Sequence, residues 1–179
     1  RHRGEEQQSI YAYPVETFAL YTPLSLPYTM CITEQIFHPI RNLPKRVLSK
    51  SHVSPHEMMN AINENGLVMV TPTGEETVRL SGHTTPDGIG PCDLVIVLCK
   101  AFDTAKTMEE GRGLVGPNTT VMSLQNGLGA EDVLCDCVGA EHVIGGKTYI
   151  GGMLLEPGRV QATIPGKDTF IGELDGSVT

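Results

Sequence analysis

No run of apolar residues in this 179-residue chain approaches the roughly 20 that a membrane-crossing helix needs. No basic stripe offsets a formal net charge of −8, which argues against a nucleic-acid surface. The opening Arg1-His2-Arg3-Gly4-Glu5-Glu6 runs on into Gln and Ser, not into the apolar segment of a secretory leader. An initiating Met is missing as well, so the chain is expected to begin partway through something longer. Cys135-Asp136-Cys137 has no second close cysteine pair, and His142 alone does not complete a zinc site. No metal is expected. The cysteines number five, an odd count, and two lie in or beside a buried-type strand, which suggests a reducing, cytoplasmic setting.

What is present describes a soluble globular protein, with 40% apolar and 19% charged residues and room for one ordinary domain or part of a larger protein. Its character changes near residue 50. Residues 1–50 hold four of the five tyrosines and five of the twelve prolines, but one of the twenty glycines. Pro14, Pro23, Pro27, Pro39 and Pro44 are too closely spaced for long helices or central strands. Within this segment only Tyr28–Thr33 and Arg46–Ser49 read as short strands.

Clear signals follow. Ser54-Pro55-His56-Glu57 combines an N-cap serine, a proline at the first helical position and a capping-box glutamate. Met58, Met59 and Ile62 supply the apolar face of that helix, and Gly66 is placed to cap its end. Leu67–Thr71 and Thr77–Leu80 read as a hairpin around Pro72-Thr73-Gly74, and Ser81–Pro91 as a loop. Asp93–Cys99 is nearly continuous in apolar residues, as a parallel strand buried on both faces should be. A helix is expected from about Asp103 to Glu110, a strand over Thr119–Leu124, a helix over Ala130–Val138 and a strand from His142. Lys147–Leu155, Arg159–Ile164 and Thr169–Glu173 are strand-like, with a tight turn at Glu156-Pro157-Gly158. The pattern predicts an α/β fold: a Rossmann-like, doubly wound, mostly parallel sheet with an antiparallel, strand-rich extension at its C-terminal end.

Ligands of such sheets bind at the carboxyl ends of the strands. Two strands here end abruptly in polar or glycine-rich turns, one at Lys100 and one at Gln125-Asn126-Gly127-Leu128-Gly129. Lys100 and Asn126 are therefore the expected ligand contacts. A lysine at a buried strand's end can set a cation against a phosphate or carbonyl. An asparagine offers both donor and acceptor, and Gly127 and Gly129 allow close backbone approach and positive φ. Plainer readings stand beside these: Lys100 as a solvated strand end, and Asn126-Gly127 as an ordinary turn dipeptide. Lys147 and Glu173, near the same edge, fit solvated strand positions at least as well.

The runs DLVIVLCKAFDT (93–104), QNGLG (125–129), GGKTYIGG (145–152), PGRV (157–160) and FIGELDG (170–176), together with INENGL (62–67), resemble the N-terminal domain of ketopantoate reductases. The resemblance covers residues 52–179. It implies NADPH-dependent reduction of the small 2-keto acid ketopantoate to pantoate, on the way to pantothenate and coenzyme A. It also implies that Lys100 lies near the nicotinamide end of NADP(H), that Asn126 contacts cofactor and substrate, and that Gly152 falls near a backbone position lining the cofactor; Gly127 is expected as a cofactor contact because glycine allows close backbone approach.

Two parts of the family pattern are missing. No G-x-G-x-x-G occurs in residues 1–60, where a first strand should lead into a pyrophosphate-binding turn. The basic residue that selects the 2′-phosphate has only Arg46 and Lys50 as weak candidates. A few charge-assisted hydrogen bonds of roughly 1.5–3 kcal/mol each go with that turn, and losing half of them is on the order of a thousandfold in affinity. The chain also stops at Thr179, where the family continues into a helical domain bearing the catalytic lysine and a substrate-holding glutamate. No catalytic residue is therefore assigned. The expected organisation is an atypical segment over 1–50, a partial Rossmann-like domain over 51–179 and no helical domain. A non-catalytic α/β binding module or broken-gene product, and a sister dehydrogenase of another 2-keto or 3-hydroxy acid, remain as alternatives.

Overall fold

Leu94-Val95-Ile96-Val97 has no polar residue to send to solvent, and it lies in the interior of the larger of two sheets. The computed structural model describes residues 18–22, 45–49, 55–149, 151–162 and 169–177. Their strands are β1 (Phe18–Thr22), β2 (Lys45–Ser49), β3 (Leu67–Thr71), β4 (Gly74–Val78), β5 (Ser81–His83), β6 (Leu94–Val97), β7 (Thr120–Ser123), β8 (Val143–Thr148), β9 (Gly152–Glu156), β10 (Arg159–Ala162) and β11 (Thr169–Glu173). The helices are α1 (Pro55–Asn65), α2 (Thr104–Glu110) and α3 (Ala130–Val138), and 3-10 turns precede α2 and β8 and follow α2.

The larger sheet runs β11-β8-β7-β6-β1-β2-β5. Every pairing in it is parallel except β11 on β8. With β1 counted as the first strand, its parallel part follows the doubly wound order 3-2-1-4-5-6, and the chain reverses direction across the sheet between β1 and β6. The smaller sheet, β4-β3-β10-β9, joins two antiparallel hairpins through a parallel β3–β10 pairing. Both the doubly wound sheet and its antiparallel extension are thus present.

Side chains alternate across the large sheet and build a core on each face. Val95, Val97, Val121 and Val143 pack with Met108 of α2 and Leu134 of α3. Ile96, Met122 and Leu124 turn the other way, onto Met58, Met59 and Ile62 of α1 and onto Leu67, Met69 and Val160 of the small sheet. Spacings of four from Met58 to Ile62 and of three from Met59 to Ile62 make this possible, because they put the three side chains on one stripe of α1. All three are buried. Gly66 ends α1 at φ +83°, its N–H bonded to Ile62 O at 2.8 Å, and a Cβ there would lie 2.9 Å from Val78 O. Only glycine fits.

Several boundaries differ from expectation. Phe18–Thr22, for which no strand was foreseen, fills the central position between β2 and β6, so the sheet is continuous and crosses residue 50. Tyr28–Thr33, expected as a short strand, and the N-cap Ser54 lie outside the described residues. The hairpin turns earlier, on Pro72-Thr73, where Thr71 Oγ1 bonds Gly74 O and accepts from Thr73 N–H. Ser81–His83 is an edge strand instead of loop. Asn63 of α1 brackets Gly82 there, its amide donating to Gly82 O (3.0 Å) and accepting from Gly82 N–H (2.7 Å). The stretch Lys147–Leu155 divides between the two sheets, β8 ending at Thr148 and β9 starting at Gly152.

Candidate functional site

The β6–β7 pairing ends at Val97 opposite Ser123, followed by one more bond from Leu124 N–H to Val97 O. Lys100 and Asn126 each lie three residues past that last paired position, on adjacent parallel strands. Both stand at the carboxyl edge of the sheet, next to the β1–β6 reversal where ligands of this architecture bind. Lys100 is half-buried, Asn126 exposed. The carbonyl of Lys100 accepts from Asp103 N–H at 2.8 Å, which turns the chain through the 3-10 segment into α2.

Between the two strand ends lies a polar cluster that the sequence motifs gave no reason to single out. Gln125 Nε2 donates to Cys99 O at 2.9 Å and to Thr104 Oγ1 at 2.8 Å, and also touches Cys99 Sγ at 3.2 Å. Thr104 donates to Ala101 O at 2.9 Å. Burial pushes the Cys99 thiol up from its ordinary value, against a smaller downward pull from the hydroxyls of Thr107 and Thr104. Gln125 stands within the QNGLG run, but its cross-strand reach depends on register, which sequence spacing does not reveal.

Past Asn126 the chain makes a glycine turn. Gly127 has φ +113° with nothing within 4 Å of where a Cβ would be, and Gly129, at φ +87°, is the N-cap of α3. The turn is open, and Leu128 at its tip is fully exposed. The first turn of α3 carries Glu131 and Asp132, which offset the positive end of the helix. The start of α3 therefore suits a neutral polar group, an amide or a hydroxyl, better than a phosphate.

Gly152 is placed elsewhere, at the start of β9 in the small sheet, opposite Ala162. The structure brings Lys100, Asn126 and Gly127 to one edge and leaves Gly152 on another layer. A cleft of about 320 Å³ lined by Arg112, Gly116, Cys137 and His142, among others, opens at the amino ends of β7 and β8, away from that edge. No helix among the described residues is long and apolar enough to cross a membrane.

A parallel sheet in this order, with its polar groups gathered at the carboxyl edge, defines the doubly wound, dinucleotide-binding class of fold. The family model of ketopantoate reductase PanE/ApbA matches residues 53–176, and the chain belongs to that family of oxidoreductases. It is 38% identical over 128 residues to the 2-dehydropantoate 2-reductase of Halobacterium salinarum, covering 70% of this chain and 41% of that one. It is also 38% identical over 101 residues to the enzyme of Streptococcus pyogenes serotype M3, covering 56% of this chain and 33% of that one. The chain thus spans between a third and about two-fifths of these relatives. Among solved structures, the 2-dehydropantoate 2-reductase of Geobacter metallireducens GS-15 superposes with a TM-score of 0.72 at 28% identity, over 90% of this chain and 51% of that one. A D-mandelate dehydrogenase determined with NADH and anilino(oxo)acetate has a TM-score of 0.71 at 20% identity, over 88% of this chain and 48% of that one, which is a likeness of fold alone.

Proposed function

We propose that this chain is the cofactor-binding part of an NADPH-dependent 2-dehydropantoate 2-reductase, acting in the cytoplasm in the making of pantothenate and coenzyme A. The observation that supports the reading is the parallel pairing of β6 and β7, past whose ends Lys100 and Asn126 follow at the carboxyl edge, near the β1–β6 reversal. Bound there, NADPH would supply the hydride that reduces the keto group of ketopantoate. Lys100 would offer its ammonium to a phosphate or carbonyl oxygen, and the Asn126 carboxamide would donate and accept at the nicotinamide end and toward the substrate. Gly127 and Gly129 would let the backbone approach the ring, while the Val and Ile side chains beneath keep water from below. Gly152 would serve only from the neighbouring layer.

The fit is one-sided. Residues 23–44, which follow β1, contain no glycine, so the pyrophosphate turn that should follow the central strand has no fingerprint. On this reading residues 1–50 supply two strands to the sheet without the phosphate-binding turn. The same missing glycines favour a second reading, a family scaffold retained as a non-catalytic binding module. Isothermal titration separates the two: NADPH binding in the micromolar range supports the reductase reading, and no heat at millimolar NADPH contradicts it. A parallel titration with NADH reports which dinucleotide is preferred.

A further inference from the structure

We infer that Gln125 is a positioning residue, a side-chain clasp that holds the Lys100 and Asn126 ends of β6 and β7 in register where the sheet no longer does. Among the described residues, backbone bonding between these strands ends with Leu124 N–H on Val97 O, and fixation nearer Lys100 and Asn126 falls to side chains. Gln125 supplies that fixation. Its Nε2 carries two hydrogens, and both are used, one on Cys99 O and one on Thr104 Oγ1. Thr104 spends its own hydrogen on Ala101 O, so its oxygen is left to accept. The amide therefore has one workable orientation. Flipped, its oxygen would face the Cys99 carbonyl, acceptor against acceptor. Cys99 O belongs to the same peptide plane as the Lys100 nitrogen, and Asn126 follows Gln125 directly. The clasp thus grips the peptide ahead of one expected ligand contact and the residue ahead of the other.

Consequences for binding rest on the reading that Lys100 and Asn126 face a dinucleotide, but the clasp itself can be read without any ligand. Gln125→Glu removes both donors and sets a carboxylate against a carbonyl, while Gln125→Met keeps the length with no polar atom. In the full chain, amide hydrogen exchange is expected to rise at least tenfold in residues 98–104 and 124–129 in both variants, with the β3–β10 pairing and α1 unchanged. Thr104→Val should reproduce part of the effect and add little to Gln125→Met, since the two share one bond. NADPH affinity should fall about tenfold in Gln125→Met, and Lys100→Ala should then cost less than it does in the wild-type chain, a coupling that general loosening would not produce. Unchanged exchange in those two segments overturns the inference, as does a rise spread over the whole sheet. Should the wild-type chain bind no NADPH, the cofactor reading fails, and the exchange result alone decides the clasp.

Discussion

Gly146 marks how closely β7 and β8 approach beneath the candidate site. A Cβ there would lie 2.6 Å from Leu124 Cδ2 and 2.7 Å from Ser123 O, and the second of these is backbone that cannot rotate away. Gly146→Ala is expected to cost about 1–3 kcal/mol, the usual range for overpacking a filled interior. Denaturant unfolding measures it, and a change under ~0.3 kcal/mol would mean that the strand ends give way easily. Cys99 makes a pH-dependent contribution of definite sign. Burial holds its folded-state value above the ordinary 9.0, so the folded form keeps the proton after the unfolded chain has lost it. That stability is complete below pH 9.0 and is lost as the pH climbs from there through the raised value. Melting temperatures from neutral to alkaline pH should therefore fall less steeply in Cys99→Ala than in the wild-type chain. Parallel curves would remove the thiol from the account.

At the scale of elements, what could be foreseen depended on whether the determining contact is local. α1 was foreseeable because Pro55, Glu57 and the Met58, Met59, Ile62 stripe act within three turns. β6 and β7 were foreseeable because an uninterrupted apolar run has few other places to go. β5 was not, since Ser81-Gly82-His83 has nothing strand-like in it. Its backbone is drawn to the sheet edge by β2 on one side and by the Asn63 carboxamide on the other, 19 residues away. Asn63→Ala should therefore release the edge strand, at a cost of about 1 kcal/mol for two partly solvated hydrogen bonds. Hydrogen exchange at residues 81–83 would rise first. Protection that persists there would show that β2 holds the edge unaided. The Gln125 clasp escaped notice for a similar reason: its partners are 21 and 26 residues distant and meet only once two strands are in register.

For the molecule as a whole, the alternation of strand and helix after residue 50 sufficed for the fold class, and the motif runs for the family. The central strand was beyond reach, because its proline-rich surroundings carry none of the glycine punctuation that marks a first strand in this architecture. The result is a sheet in doubly wound order whose first strand is not followed by a glycine-rich phosphate-binding sequence. The claim on which function turns is that Lys100 and Asn126 address one ligand together. A double-mutant cycle on NADPH affinity, with Lys100→Ala, Asn126→Ala and the pair, tests it most directly. Each single change is predicted to weaken binding about tenfold, with a coupling of at least ~0.5 kcal/mol between them. Two losses that simply add, or single variants that bind as the wild-type chain does, would contradict it.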